Sequence, residues 1–118
     1  MVFMDPRDTE KLLKSWLYDI GQMEKSGSDA NVNVVVQIGS RHTEGSVQGN
    51  VHRYCIKPNK LLELAVPRTE PVNPGDPQAL QDFITWAKTE FPANHFAIVL
   101  AGHGQGWKGI MIAGRPIT

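Results

Sequence analysis

The stretch Phe96-Ala-Ile-Val-Leu100-Ala-Gly102-His103-Gly104-Gln-Gly106-Trp107 decides how this chain is read. Its first five residues are apolar, and two are β-branched, which predicts a strand. A near-continuous apolar run of this kind predicts burial on both faces, as in a parallel sheet. Directly after it stands a histidine between glycines. Ligands of open α/β sheets sit beyond the carboxyl ends of strands, and His103 lies three residues past Leu100. Gly102 and Gly104 remove side-chain bulk on both sides and permit unusual backbone angles. The N–H that follows the histidine then has room to face a reacting carbonyl oxygen, as an oxyanion hole requires. A histidine is the side chain suited to proton transfer near neutral pH, which makes His103 a candidate acid–base group. The spacing also fits a plain surface-loop histidine with Trp107 packed over it as a lid, because motifs this short recur by chance.

Working outward, Leu80, Phe83, Ile84, Ala87 and Phe91 recur with helical spacing. Asp76 is placed to cap that helix, Pro77 to open it and Pro92 to stop it. Val32-Asn-Val-Val-Val-Gln37-Ile38 predicts another buried strand. Val51–Ile56 and Leu61–Val66 predict two more, and Pro58-Asn59 between them predicts a hairpin. Leu12, Leu13, Trp16, Leu17, Ile20 and Met23 form one face of an earlier helix, capped by Asp5 and ended by Ser26-Gly-Ser28. Val2-Phe-Met4 is an apolar stub. The order stub, helix, strand, hairpin, helix, strand predicts a single α/β layered domain over residues 1–118, with a mostly parallel sheet. The short stub and the end soon after Leu100 predict a sheet truncated at both ends. Its edges would be open to pairing with another chain, itself included.

Composition narrows the function classes. Of 118 residues, 41% are hydrophobic, enough for a real core. Twelve basic and twelve acidic side chains cancel, and no basic stripe is visible. Electrostatics therefore gives no case for nucleic acid or a membrane surface. No apolar run approaches the roughly 18 residues of a membrane span, and no signal peptide is visible, so the default compartment is cytoplasmic. The lone Cys55 excludes a disulfide framework and a multi-cysteine zinc site. Cys55 lies mid-strand and reads as a buried, inert thiol. His52 stands three residues from Cys55, but two ligands do not make a zinc site, and His42 and His95 have no partners at metal spacing. Gly104-Gln-Gly106-Trp-Lys-Gly109 matches a phosphate-binding fingerprint literally. That chemistry needs a helix to open there, and Gly109-Ile-Met-Ile-Ala-Gly does not read as one.

The histidine loop and the pieces upstream together resemble the clostripain family of cysteine peptidases, within the caspase-like group. The matches run in the family's order: Val32–Gln37, Arg53-Tyr54, Asn73-Pro-Gly-Asp-Pro77, Phe83-Ile-Thr-Trp-Ala87 and Phe91-Pro-Ala93. The resemblance implies a caspase-like three-layer α/β sandwich with a small β-hairpin. It implies a His–Cys dyad cleaving peptide or protein substrates after arginine or lysine. His103 would be the dyad histidine and the Gly104 N–H an oxyanion donor, with Gly102, Gly106 and Trp107 supporting the loop. The family's cysteine lies at the end of the next sheet strand, which this chain does not include. The chain is therefore expected to be inactive alone. The resemblance allows calcium, which no feature of the sequence supports, and no other cofactor is implied. Ala113-Gly-Arg115 stands where the family often carries acidic residues, a departure that bears on activity in a completed protein. The alternative is a non-catalytic interaction or oligomerisation module on the same fold.

Overall fold

Five strands and two helices follow one another as β1 (Val2–Met4), α1 (Glu10–Ser26), β2 (Val35–Gly39), β3 (Val51–Lys57), β4 (Lys60–Leu64), α2 (Pro77–Glu90) and β5 (Val99–Ala101). The computed structural model describes residues 1–4, 10–39, 51–66, 76–102, 104 and 109, with side chains in α1 described from Lys14 onward. The Asp5 cap and the glycine fingerprint's helix test lie outside the described residues.

The strands form one sheet in the order β4-β3-β2-β1-β5. β2, β1 and β5 are parallel, and the β3–β4 hairpin extends that body antiparallel from β2. The three-residue β1 is central. Val2, Phe3 and Met4 pair with Val36, Gln37 and Ile38 on one side and with Val99, Leu100 and Ala101 on the other.

Strand alternation sorts the core into two layers, because successive side chains point to opposite faces. Val2, Met4, Val36, Ile38 and Ile56 meet Trp16 and Ile20 of α1. Phe3 and Val35 meet Ala79 and Phe83 of α2 on the other face. The result is a three-layer sandwich with one helix on each side. Phe3 and Phe83 are fully buried, with ring centroids 5.8 Å apart, and each such burial is worth about 1.5–3 kcal/mol.

Local chemistry explains the boundaries. Asp76 caps α2, its Oδ1 accepting from Gln78 N at 2.9 Å, with Pro77 opening the helix. β2 begins at Val35, three residues later than the apolar run suggests. Asp29 Oδ1 accepts from the N–H groups of Asn31 and Val32, which folds those residues into a turn. Ser28 Oγ then accepts from Val34 N at 2.9 Å and donates to Ile56 O at 2.6 Å. Gly27 ends α1 at φ +62, and a Cβ there would lie 2.3 Å from Pro58 N. That contact brings the end of α1 against the hairpin turn, where Asn59 N donates to Glu24 O.

One expectation is corrected. The run ending in β5 predicts a strand buried on both faces, yet Val99 is 56% exposed and Ile98 and Leu100 are also exposed. β5 is terminal in the sheet. Among the described residues, β5 joins the core only through Ala101, which packs against the α1-side cluster.

Candidate active site

The three parallel strands end together. Met4 stands in register with Ile38 on one side and Ala101 on the other, so β1, β2 and β5 share one carboxyl rim. Gly102 follows Ala101 as an exposed bend, and Gly104 is also exposed. Pairing with the buried β1 therefore delivers the chain to the rim one residue before position 103. His103, Gly106 and Trp107 lie outside the described residues.

Cys55 is elsewhere. It pairs with Val35, the first residue of β2, at the end of the sheet away from the rim. Four strand steps separate Val35 from Gly39, roughly 13 Å at ~3.3 Å each. The thiol is buried, with Sγ 3.8 Å from Ser28 Oγ. A nucleophile needs access and a base within hydrogen-bond reach, and burial at the wrong end denies Cys55 the first of these.

The other candidate side chains do not assemble into a second centre. His52 Nδ1 lies 2.9 Å from Glu63 Oε1 on the exposed hairpin, and its ring stacks on Tyr54 at 6.4 Å. Burial, and then the Glu63 carboxylate, push the Tyr54 phenol above its usual range. His95 is exposed beside an open groove of about 700 Å³ lined by Met1, Val32, Phe91 and Phe96 among others. That groove opens at the amino ends of β1 and β2, opposite the rim. Among the described residues no group of three or more His, Cys, Asp or Glu could hold a metal ion. Among them, too, no helix is long and apolar enough to cross a membrane.

One polar cluster is absent from the sequence reading. Arg53 is buried, its Nε donating to the buried Gln37 Oε1 at 2.8 Å and its guanidinium lying over the Trp86 and Phe83 rings. The available signal was a matched pair of polar residues, Gln37 and Arg53, inside two strands that are otherwise largely apolar.

The model of the clostripain family matches residues 2–112. The chain belongs to the clostripain family. Its fold agrees with solved structures from clostripain-family proteins. One is a clostripain from Bacteroides thetaiotaomicron in complex with a peptide inhibitor, at TM-score 0.61 and 14% identity, with 90% of each chain covered. A B. fragilis cysteine protease superposes with TM-score 0.61 at 17% identity, covering 90% of this chain and 87% of that one. An inactive zymogen C11 protease from Parabacteroides distasonis gives TM-score 0.54 at 19% identity, covering 90% of this chain but 30% of that one. At such identities the likeness establishes the caspase-like fold alone. No curated protein matches the chain.

Proposed function

We propose that this clostripain-family chain is the histidine-bearing part of a cysteine endopeptidase. The observation that carries the reading is the delivery of Gly102 to the carboxyl rim by β5, immediately before His103, inside the segment that the family model spans. His103 acts as the dyad base and acid. A thiolate supplied from outside this chain attacks the scissile carbonyl, and the C–N bond breaks as the imidazolium gives its proton to the leaving amine. Water then hydrolyses the thioester, with His103 taking the water's proton and returning it to the departing thiol. The Gly104 N–H donates to the oxyanion. Gly102, Gly106 and Trp107 shape the loop. Cleavage follows arginine or lysine. In support, the B. thetaiotaomicron protein is bound to BTN-VLTK-AOMK, whose peptide ends in lysine.

The 118 residues alone supply one half of the dyad, so the chain by itself does not turn over substrate. A fluorogenic peptide with arginine or lysine before the reporter tests this. No hydrolysis above buffer is expected. Hydrolysis abolished by His103→Ala and by Cys55→Ala would overturn it. A second reading, a non-catalytic module that pairs with its own copies, is favoured by one observation. Both terminal strands expose apolar residues, Leu61 and Leu62 on β4 and Val99 and Leu100 on β5. Size-exclusion across a concentration series separates the two: a dimer at micromolar concentration supports the module.

A further inference from the structure

β4 is the outer strand of the hairpin, and no described strand lies beyond it. Ile56 N donates to Val34 O at 2.9 Å, so Ile56 turns its backbone groups toward β2. In an antiparallel ladder its two neighbours turn theirs the other way. Cys55 and Lys57 therefore bond to β4, through their register partners Leu62 and Lys60. Leu61 and Glu63 alternate with these partners and present their N–H and C=O groups on the outer side. The side chains give that edge a chemical preference. Ile56 packs on the α1 side and Arg53 lies over Trp86 of α2. Alternation then puts Leu61 and Glu63 on the α1 face, and Lys57, Lys60 and Leu62 on the α2 face. Lys57 and Lys60 stand directly opposite each other. Like charges so placed repel, and among the described residues neither ammonium has a hydrogen bond or an ion pair. Leu62, next to Lys60 on that face, is exposed. The one acid of β4, Glu63, lies on the other face and meets His52 at 2.9 Å.

We infer that β4 is a docking edge for an extended acidic segment of a partner protein. The segment adds antiparallel through Leu61 and Glu63, with a carboxylate against Lys60 and an apolar side chain against Leu62. Read from the partner's amino end, the recognised pattern is apolar, any residue, acidic. Charge complementarity selects such a partner over a second copy. Two copies that pair β4 with β4 are related by a twofold axis normal to the sheet, which keeps each face on its own side. Lys60 then meets a lysine or a leucine of the other copy, never Glu63, and its charge stays unpaired. The inference stands apart from the catalytic reading, because β4 and β5 are opposite edges of the sheet.

The test titrates the 118-residue chain with the acetylated, amidated peptide Thr-Val-Thr-Val-Thr-Glu-Thr and follows backbone amide shifts and exchange. The antiparallel register sets its glutamate against Lys60 and its second valine against Leu62. Saturable shifts at the Leu61 and Glu63 amides are expected at about millimolar peptide or below. Exchange at those two amides should slow about threefold or more. The same peptide with glutamine in place of glutamate should bind about threefold more weakly at low salt. Lys60→Gln should erase that difference. No saturable shift at Leu61 and Glu63, or equal binding of the two peptides by the wild-type chain, would overturn the inference. Shifts at these amides that grow with concentration of the chain alone make a second copy the occupant and overturn it. Self-association of Lys57→Gln and Lys60→Gln, in a chain that binds neither peptide, also overturns it and makes the lysines guards against pairing.

Discussion

The guanidinium of Arg53 lies 4.4 Å from the centroid of the Trp86 ring, which fixes the last turns of α2 to the middle of β3. A buried cation is tolerated only when it is partnered, and among its partners Gln37 accepts a hydrogen bond at 2.8 Å while the Trp86 and Phe83 faces lie against the guanidinium. Arg53→Ala leaves Gln37 buried without its donor and opens a void under Trp86. We expect a loss of about 2–4 kcal/mol, read from urea unfolding with Trp86 fluorescence. Arg53→Met keeps the volume and should recover part of it. Equal losses in the two variants would contradict the packing share of this account.

Gly27 and Gly21 make a matched pair of tests. Gly27 has φ +62 and no room for a Cβ beside Pro58, whereas Gly21 has nothing within 4 Å. Gly27→Ala should cost about 2 kcal/mol or more through strain and clash. Gly21→Ala should stabilise by about 0.5–1 kcal/mol, because an exposed helical glycine wastes backbone entropy. Thermal unfolding of both variants checks the signs, and a stabilised Gly27→Ala would show that α1 does not end against the hairpin as described.

Ser28 holds β2, β3 and the end of α1 together through one hydroxyl. Ser28→Ala leaves Val34 N without its acceptor and Ile56 O without one of its donors. The expected loss is about 1–3 kcal/mol, and the amide of Val34 should exchange faster. Unchanged exchange at Val34 would mean that the hydroxyl is not its partner.

Tyr54 sets an alkaline limit. Its folded pKa is raised above the ordinary 10.0, by burial and then by Glu63. The neutral phenol is favoured in the folded chain, so this contribution is complete below the unfolded value and is lost as pH rises through the folded one. Wild type should lose stability between about pH 9 and about pH 11 more steeply than Tyr54→Phe, with Glu63→Gln in between. Urea midpoints across that range check it, and parallel slopes for wild type and Tyr54→Phe would refute it.

The layered α/β fold was legible because Val35, Val36 and Ile38 carry the apolar density of a two-face buried strand and Phe83 and Ala87 recur at helical spacing. The central place of β1 was not. Val2-Phe-Met4 is too short to show a period, and its importance comes from long-range pairing on both sides. β5 departs from its apolar pattern: Ile98, Val99 and Leu100 are exposed, and only Ala101 packs on the core. The contact between Arg53 and Gln37 was not legible, because nothing in the two strands alone shows that they pair antiparallel with these residues in register. The candidate site was legible as an order of residues, from strand to glycine to histidine. Its geometry depends on a rim made by strands far apart in sequence.

The central claim is that His103 is the proton-transferring half of a dyad completed outside these 118 residues. The most direct measurement is hydrolysis of an arginine- or lysine-containing fluorogenic peptide by the completed protease, wild type against His103→Ala and Cys55→Ala. The account predicts a fall of about a hundredfold or more for His103→Ala, the scale of a lost general acid–base, and wild-type kcat for any folded Cys55→Ala. Full activity without His103, or none without Cys55 in a protein that still folds, would contradict it.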